Sequence, residues 1–118
     1  MRTSVRVLLS RSHRLADGKR VRLRLPHAGD RAGLTALHDR LGAPLDGMRL
    51  RRILRFDPRA CLSVCATTFH GVTEVLVAYG HVDPAGAELI VADEALAPGV
   101  ADLMRAVLAE RTGSRHVA

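Results

Sequence analysis

The sequence is poor in aromatic residues, which make up 3% of its 118 positions, and tryptophan is absent. Leu, Val and Ala must therefore supply most of the core, and a 47% share of hydrophobic residues is enough for one small domain. Long hydrophobic runs are also missing. The most apolar stretches, around Val75 and Leu89, are far shorter than the roughly 20 residues that a transmembrane helix needs. This composition predicts a single globular domain without a membrane segment.

Cysteine is scarce as well, since Cys61 and Cys65 are the only two. Their spacing is not that of a CxxC motif, and no histidine stands beside them at ligand spacing. On a strand the two residues would be roughly 13 Å apart, which is too far for a disulfide. We predict two buried, reduced cysteines in a cytoplasmic protein with no metal site; a metal or redox pair is the alternative.

Lysine occurs once, at Lys19, so arginine provides nearly all of the positive charge. Residues 1–59 hold 15 Lys and Arg against 5 Asp and Glu, whereas residues 60–118 hold 3 against 7. Such asymmetry is typical of proteins with an anionic partner. One hypothesis is therefore an anion- or nucleic-acid-binding module that uses the N-terminal arm and residues 49–59, whose helix carries Arg49, Arg51, Arg52 and Arg55. A solvated helix face is the alternative. Nucleic acid is the less expected partner, because no aromatic residues are interleaved for base stacking.

The first 20 residues are interpreted as a basic extension ahead of a domain that spans residues 21–118. Arginine and serine are frequent in this extension, and no acidic residue precedes Asp17. The composition resembles that of a transit peptide. A basic extension with a short strand over residues 5–9 is the preferred interpretation.

The domain is predicted to begin with a strand and a helix. Residues 21–25 alternate apolar and basic side chains, which is the period of a half-buried strand, and Pro26 ends it. Asp30 is then predicted to cap a helix that stops at Gly42. The apolar face of this helix consists of Leu34, Leu37, His38 and Leu41. His38 lies at the edge of that face, where a partly buried structural role is expected rather than catalysis.

A second helix, three strands and a third helix complete the order. The second helix is predicted between a cap at Asp46 and a stop at Pro58. The strands are predicted over residues 60–69, 73–82 and 89–92. The first two form an antiparallel hairpin about Gly71, and an amphipathic helix begins near Val100. This β-α-α-β-β-β-α order predicts an α+β fold with a mixed, mainly antiparallel sheet flanked by helices.

Residues 88–110 join a strand to a helix through a short loop with one glycine, a fragment that can direct backbone N–H groups at a phosphate. With this loop, the order of elements resembles the GNAT N-acetyltransferase superfamily, of which the chain looks like a short, degenerate member. Three segments carry the resemblance: VRLRLPHAGDRAGLTALHDRLG, RFDPRACLSVCATTFHGVTEVLVAYGHVD and IVADEALAPGVADLMRAVLAER. It implies acetyl-CoA as co-substrate and an amine as acetyl acceptor.

The resemblance also implies a cofactor site. Gly99 and Ala101 match the family's Gly-x-Gly/Ala loop, whose amides hold the CoA pyrophosphate. Val100 lies between them and is a further candidate amide donor. Val91 matches a valine on the strand whose backbone aligns the acyl-pantetheine.

Three departures from the family's pattern leave two interpretations of the loop open. Leu96 stands where the family has Arg or Gln, and Pro98 removes a backbone N–H. Negative charge surrounds the loop at Asp93, Glu94 and Asp102. The loop is therefore interpreted either as a phosphate-binding loop or as an ordinary connection between a strand and a helix.

No catalytic residue is assigned from the sequence. Glu74 and Glu88 are candidate bases by position, and Tyr79 is a candidate acid, but exposed strand-end glutamates and a core tyrosine are the alternatives. No Ser-His-Asp order, P-loop or Cys/His ligand set is present.

In the family a further strand follows the third helix, and residues 115–118 are expected to begin it here. Such a short sheet would keep an open edge, which predicts completion by a homodimer or a partner chain. The competing hypotheses are thus an acyl-CoA-dependent N-acetyltransferase and a non-catalytic GNAT-like interaction module.

Overall fold

The computed structural model describes residues 12–54, 62–83 and 85–116, the last six of them by backbone alone. The strands are β1 (Ser12–Arg14), β2 (Arg20–Arg24), β3 (Leu62–His70), β4 (Thr73–Val82) and β5 (Glu88–Ala92). The helices are α1 (Arg31–Arg40), α2 (Gly47–Leu54) and α3 (Val100–His116), and a 3-10 turn over Ala28–Asp30 leads into α1. These elements confirm the predicted α+β class.

The five strands form one sheet in the order β1-β2-β3-β4-β5, and each described pairing is antiparallel. The predicted hairpin of β3 and β4 is confirmed, with an irregularity in its register between Ala66 and Thr67. A second hairpin joins β1 to β2, where the amide of Leu15 donates to the carbonyl of Lys19 at 2.8 Å. The sequence pattern did not predict β1, and the strand predicted over residues 5–9 lies outside the described residues.

Helices cover both faces of the sheet, as expected for the class. On one face α3 packs through Met104 and Leu108 against Val64 and Ala66. Gly80 of β4 makes this approach possible, because a Cβ there would lie 2.9 Å from Cδ1 of Leu108. The residues that pack on the other face, beneath α1 and α2, are Leu34, Leu37, Leu50, Cys65, Leu76 and Tyr79.

Asp30 is the N-cap residue of α1, as predicted, but its side chain makes no cap hydrogen bond to this helix. Its carboxylate is 95% buried and binds the guanidinium of Arg24, with a shortest N–O distance of 2.6 Å, and the amide of His27 at 2.8 Å. The 3-10 turn ahead of α1 is capped reciprocally, since the His27 ring accepts the amide of Gly29 and the Asp30 carboxylate accepts the amide of His27. A basic strand residue six positions earlier therefore competes successfully for the carboxylate.

Three other local predictions are confirmed. The Asp46 carboxylate accepts the amide of Arg49 at 2.8 Å and so caps α2. Gly42 follows α1 with a φ of +70°. His38 is buried and structural, because its ring lies 2.9 Å from the carbonyl oxygen of Ala43 and 3.0 Å from the hydroxyl of Tyr79.

The C-terminal end of the described chain differs from expectation. Arg115 and His116, which were expected to begin a further strand, are the last residues of α3. Cys61 and the predicted helix stop at Pro58 lie outside the described residues. Within the described part of the chain, no helix has the length and apolarity needed to cross a membrane.

Candidate functional site

The candidate site is the loop between β5 and α3, which begins at Asp93. This residue is 6% exposed, and its amide donates to the carbonyl of Val77 at 2.8 Å, one step beyond the last pair of the β4–β5 ladder. Its carboxylate accepts the amide of Leu96 at 3.1 Å and Nε of Arg40 at 2.8 Å. The loop is therefore fastened to the sheet at its first residue.

Arg40 provides the countercharge for Asp93. Its guanidinium also donates to the carbonyl of Leu76 at 2.8 Å, so α1, β4 and the loop meet at one side chain. Burial opposes the ionised form of Asp93, but the hydrogen bonds from Arg40 and the amide of Leu96 outweigh it and hold the pKa of Asp93 below its usual value. One of the three negative charges around the loop is thus neutralised within the fold.

Two of the three loop amides predicted to hold pyrophosphate, those of Gly99 and Ala101, converge on a single anionic group. The carboxylate of Glu94 accepts the amide of Gly99 at 3.2 Å and the amide of Ala101 at 2.9 Å. The φ of Gly99 is +93°, a conformation that glycine adopts without steric cost. The start of α3 therefore forms a cradle of two amides around an internal carboxylate.

Val100, the residue between these two amides, is placed differently. Its side chain is fully buried in the core beneath α3. Its amide donates to the carbonyl of Ala97 at 3.1 Å, inside the loop. The amides of Gly99 and Ala101 therefore form the cradle, whereas the amide of Val100 bonds within the loop and its side chain packs in the core.

Lys19 brings a positive charge to the loop from the other side of the fold. Its ammonium group donates to the carbonyl of Leu96, the position where the GNAT pattern has Arg or Gln. The β1–β2 hairpin carries this lysine, which is 77 residues away in sequence. Sequence reasoning missed both Lys19 and the capping role of Glu94, because neither contact follows from a local spacing rule.

Val91 lies in β5 opposite Tyr79, and its half-buried side chain packs with the core beneath α1 and α2. The backbone of β5 pairs with β4 on one side, and no described strand pairs with its other edge. The loop that forms the cradle follows this edge strand directly, since β5 ends at Ala92 and the loop begins at Asp93.

The candidate bases are not brought to the cradle by any described contact. Glu74 forms an ion pair with Arg24 at 3.0 Å, and this hydrogen bond lowers the pKa of Glu74 despite some burial. A carboxylate held in that way is a poor proton acceptor at neutral pH. Glu88 is exposed at the first position of β5.

Tyr79 is held by His38 rather than turned toward a ligand. The Nδ1 atom of His38 faces a carbonyl oxygen, which only accepts, so Nδ1 carries the proton of the neutral ring and Nε2 accepts the hydroxyl proton of Tyr79. Burial raises the pKa of Tyr79, although the nearby guanidinium of Arg49 lowers it in part. The hydroxyl proton of Tyr79 is therefore held in a hydrogen bond within the core.

Two further groups bear on the chemistry of the described residues. Cys65 is a free, fully buried thiol whose pKa is raised by burial to about 12. In the described ranges, no group of three or more His, Cys, Asp or Glu side chains could hold a metal ion.

The arrangement of strands and helices has a counterpart among solved structures. The GNAT domain of PAT from S. lividans superposes with a TM-score of 0.65 at 21% sequence identity, covering 86% of this chain and 72% of that domain. The chain therefore has a GNAT-like fold, as the sequence resemblance implied. No protein-family model and no curated protein matches the sequence.

Proposed function

We propose that the chain is a GNAT-like, acyl-CoA-dependent N-acetyltransferase domain that transfers an acetyl group from acetyl-CoA to an amine. In this reaction the amine nitrogen forms a bond to the thioester carbon, the C–S bond breaks, and CoA leaves as its thiol with a proton from the amine. The observation that carries the proposal is the convergence of the Gly99 and Ala101 amides on one anionic group at the start of α3.

The pyrophosphate of CoA would take the position that the Glu94 carboxylate holds in the cradle. Glu94 is exposed and can rotate away, at the cost of a helix cap that contributes about 0.5–2 kcal/mol. Internal competition of this size lowers the affinity for acetyl-CoA by roughly two- to thirtyfold. Lys19 supplies the positive charge that Leu96 does not, and the backbone at Val91 would run beside the acyl-pantetheine.

The test is a calorimetric titration of the protein with acetyl-CoA at modest salt. We expect micromolar, saturable binding that is lost in Gly99→Asp, because a second acidic side chain then joins Glu94 at the cradle, at a position with positive φ. Gly86→Asp is the matched control, since Gly86 has a φ of +91° in the turn before β5 and carries the same strain and charge change. Equal losses in the two variants would contradict a role for the cradle.

The acetyl acceptor is sought by measuring CoA thiol release with a panel of amines. A reducing, cytoplasmic setting is proposed with this activity, and the free thiol of Cys65 supports it.

A second candidate function is a non-catalytic GNAT-like interaction module, and the occupation of the cradle by Glu94 favours it. In this case Glu94 serves as a permanent cap, and the outer edge of β5 takes a strand from a second copy or from a partner chain. Two results together would support this second function: no detectable binding at millimolar acetyl-CoA, and a dimer in light scattering at micromolar protein. A strict monomer would count against self-association.

A further inference from the structure

A cavity of about 230 Å³ lies between α2 and strands β4 and β5, on the face of the sheet opposite α3. Its lining consists of Arg49, Arg52, Ile53, Tyr79, His81 and Leu89. The volume is below the roughly 300–1,000 Å³ that is typical of drug-sized ligands, so the cavity suits a small molecule. Neither the resemblance nor the proposed function assigns it a role.

The positive charge of this cavity is uncompensated by the described residues. Arg49 and Arg52 are one turn apart on α2, are both exposed, and form no ion pair with any described side chain. No lining residue is acidic. Asp46, the acid that directly precedes α2, accepts the amide of Arg49 as the helix cap. Two guanidinium groups are thus available to one oxyanion.

The opposite wall consists of two rings and a leucine, and each ring is held by an internal hydrogen bond. Tyr79 is 1% exposed, and its hydroxyl is fixed by the bond to His38. His81 is half-buried, and its Nδ1 lies 2.7 Å from the hydroxyl of Ser63. Leu89, which pairs with His81 across the β4–β5 ladder, is 40% exposed. Because the rings are held by internal hydrogen bonds, a ligand would meet a preformed surface and would order few side chains.

We propose that this cavity binds a small organic acid, with its carboxylate on Arg49 and Arg52 and its apolar or aromatic body against Ile53, Tyr79 and Leu89. A planar carboxylate presents two oxygens to two guanidinium groups and turns its apolar side to the rest of the lining. A carboxylate has fewer oxygens than a phosphate and so leaves fewer acceptors to face the apolar side chains of Ile53 and Leu89. The proposal does not depend on acetyl-CoA binding, because none of the cavity's lining residues belongs to the cradle.

The experiment is an NMR titration of the full chain with benzoate as the probe. We expect saturable shifts at millimolar benzoate, and a loss of about tenfold in affinity, or about 1.4 kcal/mol, in both Arg49→Gln and Arg52→Gln. The matched control is Arg51→Gln, which removes the same charge from the same helix but does not line the cavity. Benzamide, the neutral analogue, should not saturate. Because all three arginines are exposed, the variants should unfold at the temperature of the unmodified protein.

Three results would overturn the proposal. An equal loss in Arg51→Gln would mean that benzoate responds to the net charge of the helix. Saturation by benzamide with the same affinity would show that the carboxylate is not recognised. Tighter binding of phenyl phosphate than of benzoate would assign the site to phosphate-bearing ligands.

Discussion

The Glu94 carboxylate stabilises the start of α3 and, in the proposed function, competes with acetyl-CoA for the same two amides. The substitution Glu94→Ala should therefore change helix stability and acetyl-CoA affinity in opposite directions. The carboxylate accepts two amides at the start of α3, at 3.2 and 2.9 Å, and it lies beside the positive end of the helix dipole. Removing it leaves both amides to water. Because the side chain is exposed, we take the middle of the range for helix caps and expect a loss of about 1 kcal/mol. For a chain of this length that corresponds to a fall in Tm of about 4 °C.

The same substitution should strengthen binding of acetyl-CoA. The two amides no longer have to be released from an internal carboxylate. The free energy of acetyl-CoA binding should therefore become more favourable by about 1 kcal/mol, which is equivalent to a roughly fivefold lower Kd. Removal of a negative charge near the pyrophosphate adds to this effect at low salt. A less stable protein that binds acetyl-CoA more tightly is the expected signature of a cradle that Glu94 shares with a ligand.

Circular dichroism melts and calorimetry at pH 7 measure the two effects on the same samples. Glu88→Ala is the control, because it removes an exposed glutamate from the opposite end of β5 and changes the net charge equally. The reasoning is refuted if Glu94→Ala lowers Tm with no gain in acetyl-CoA affinity, since the amides then serve the helix alone. It is also refuted if Glu88→Ala tightens binding by the same factor.

Three further predictions concern stability and reactivity. The pKa values of Asp30 and Asp93 are lowered in the fold, because hydrogen bonds from arginines outweigh burial. The stability that the two ionised carboxylates contribute is present above their unfolded pKa of about 3.9. It is lost as the pH falls through their folded pKa values. Urea unfolding should therefore show stability that falls steeply below about pH 4. Gly80→Ala should destabilise the protein by about 1–3 kcal/mol, because the added Cβ meets α3, whereas Gly47→Ala at the start of α2 meets no atom within 4 Å. The thiol of Cys65, with its pKa raised to about 12, should react with a disulfide reagent at pH 8 only after unfolding, in a Cys61→Ser background.

Each of these has a result that contradicts it. Stability that is unchanged between pH 7 and pH 3 would show that neither aspartate is held ionised by its arginine. A Gly80→Ala protein as stable as Gly47→Ala would mean that Leu108 moves aside without cost. Labelling of Cys65 in the folded protein at the rate of a free thiol would contradict its burial.

Local patterns in the sequence predicted most of the fold. Alternating residues in β2, the cap at Asp46 and the glycine at Gly42 depend on neighbours within a few positions, and each was found where expected. Asp30 occupies the predicted N-cap position of α1, but its side chain makes no cap hydrogen bond there, because Arg24 of β2 binds the carboxylate. The strand expected at residues 115–118 failed at its first two positions, since α3 continues through them.

The sequence by itself determined the class of fold, the order of its main elements, and the position of Gly99 and Ala101 at the start of a helix. Only the tertiary structure decided what those amides contact and which charges surround them. The ammonium group of Lys19 reaches Leu96 across 77 residues, Arg40 reaches Asp93 across 53, and Arg49 and Arg52 border a cavity with strands β4 and β5. The physical reason is that periodicity and capping depend on bonds between near neighbours, whereas an anion site depends on groups that only the packing of the sheet and helices brings together.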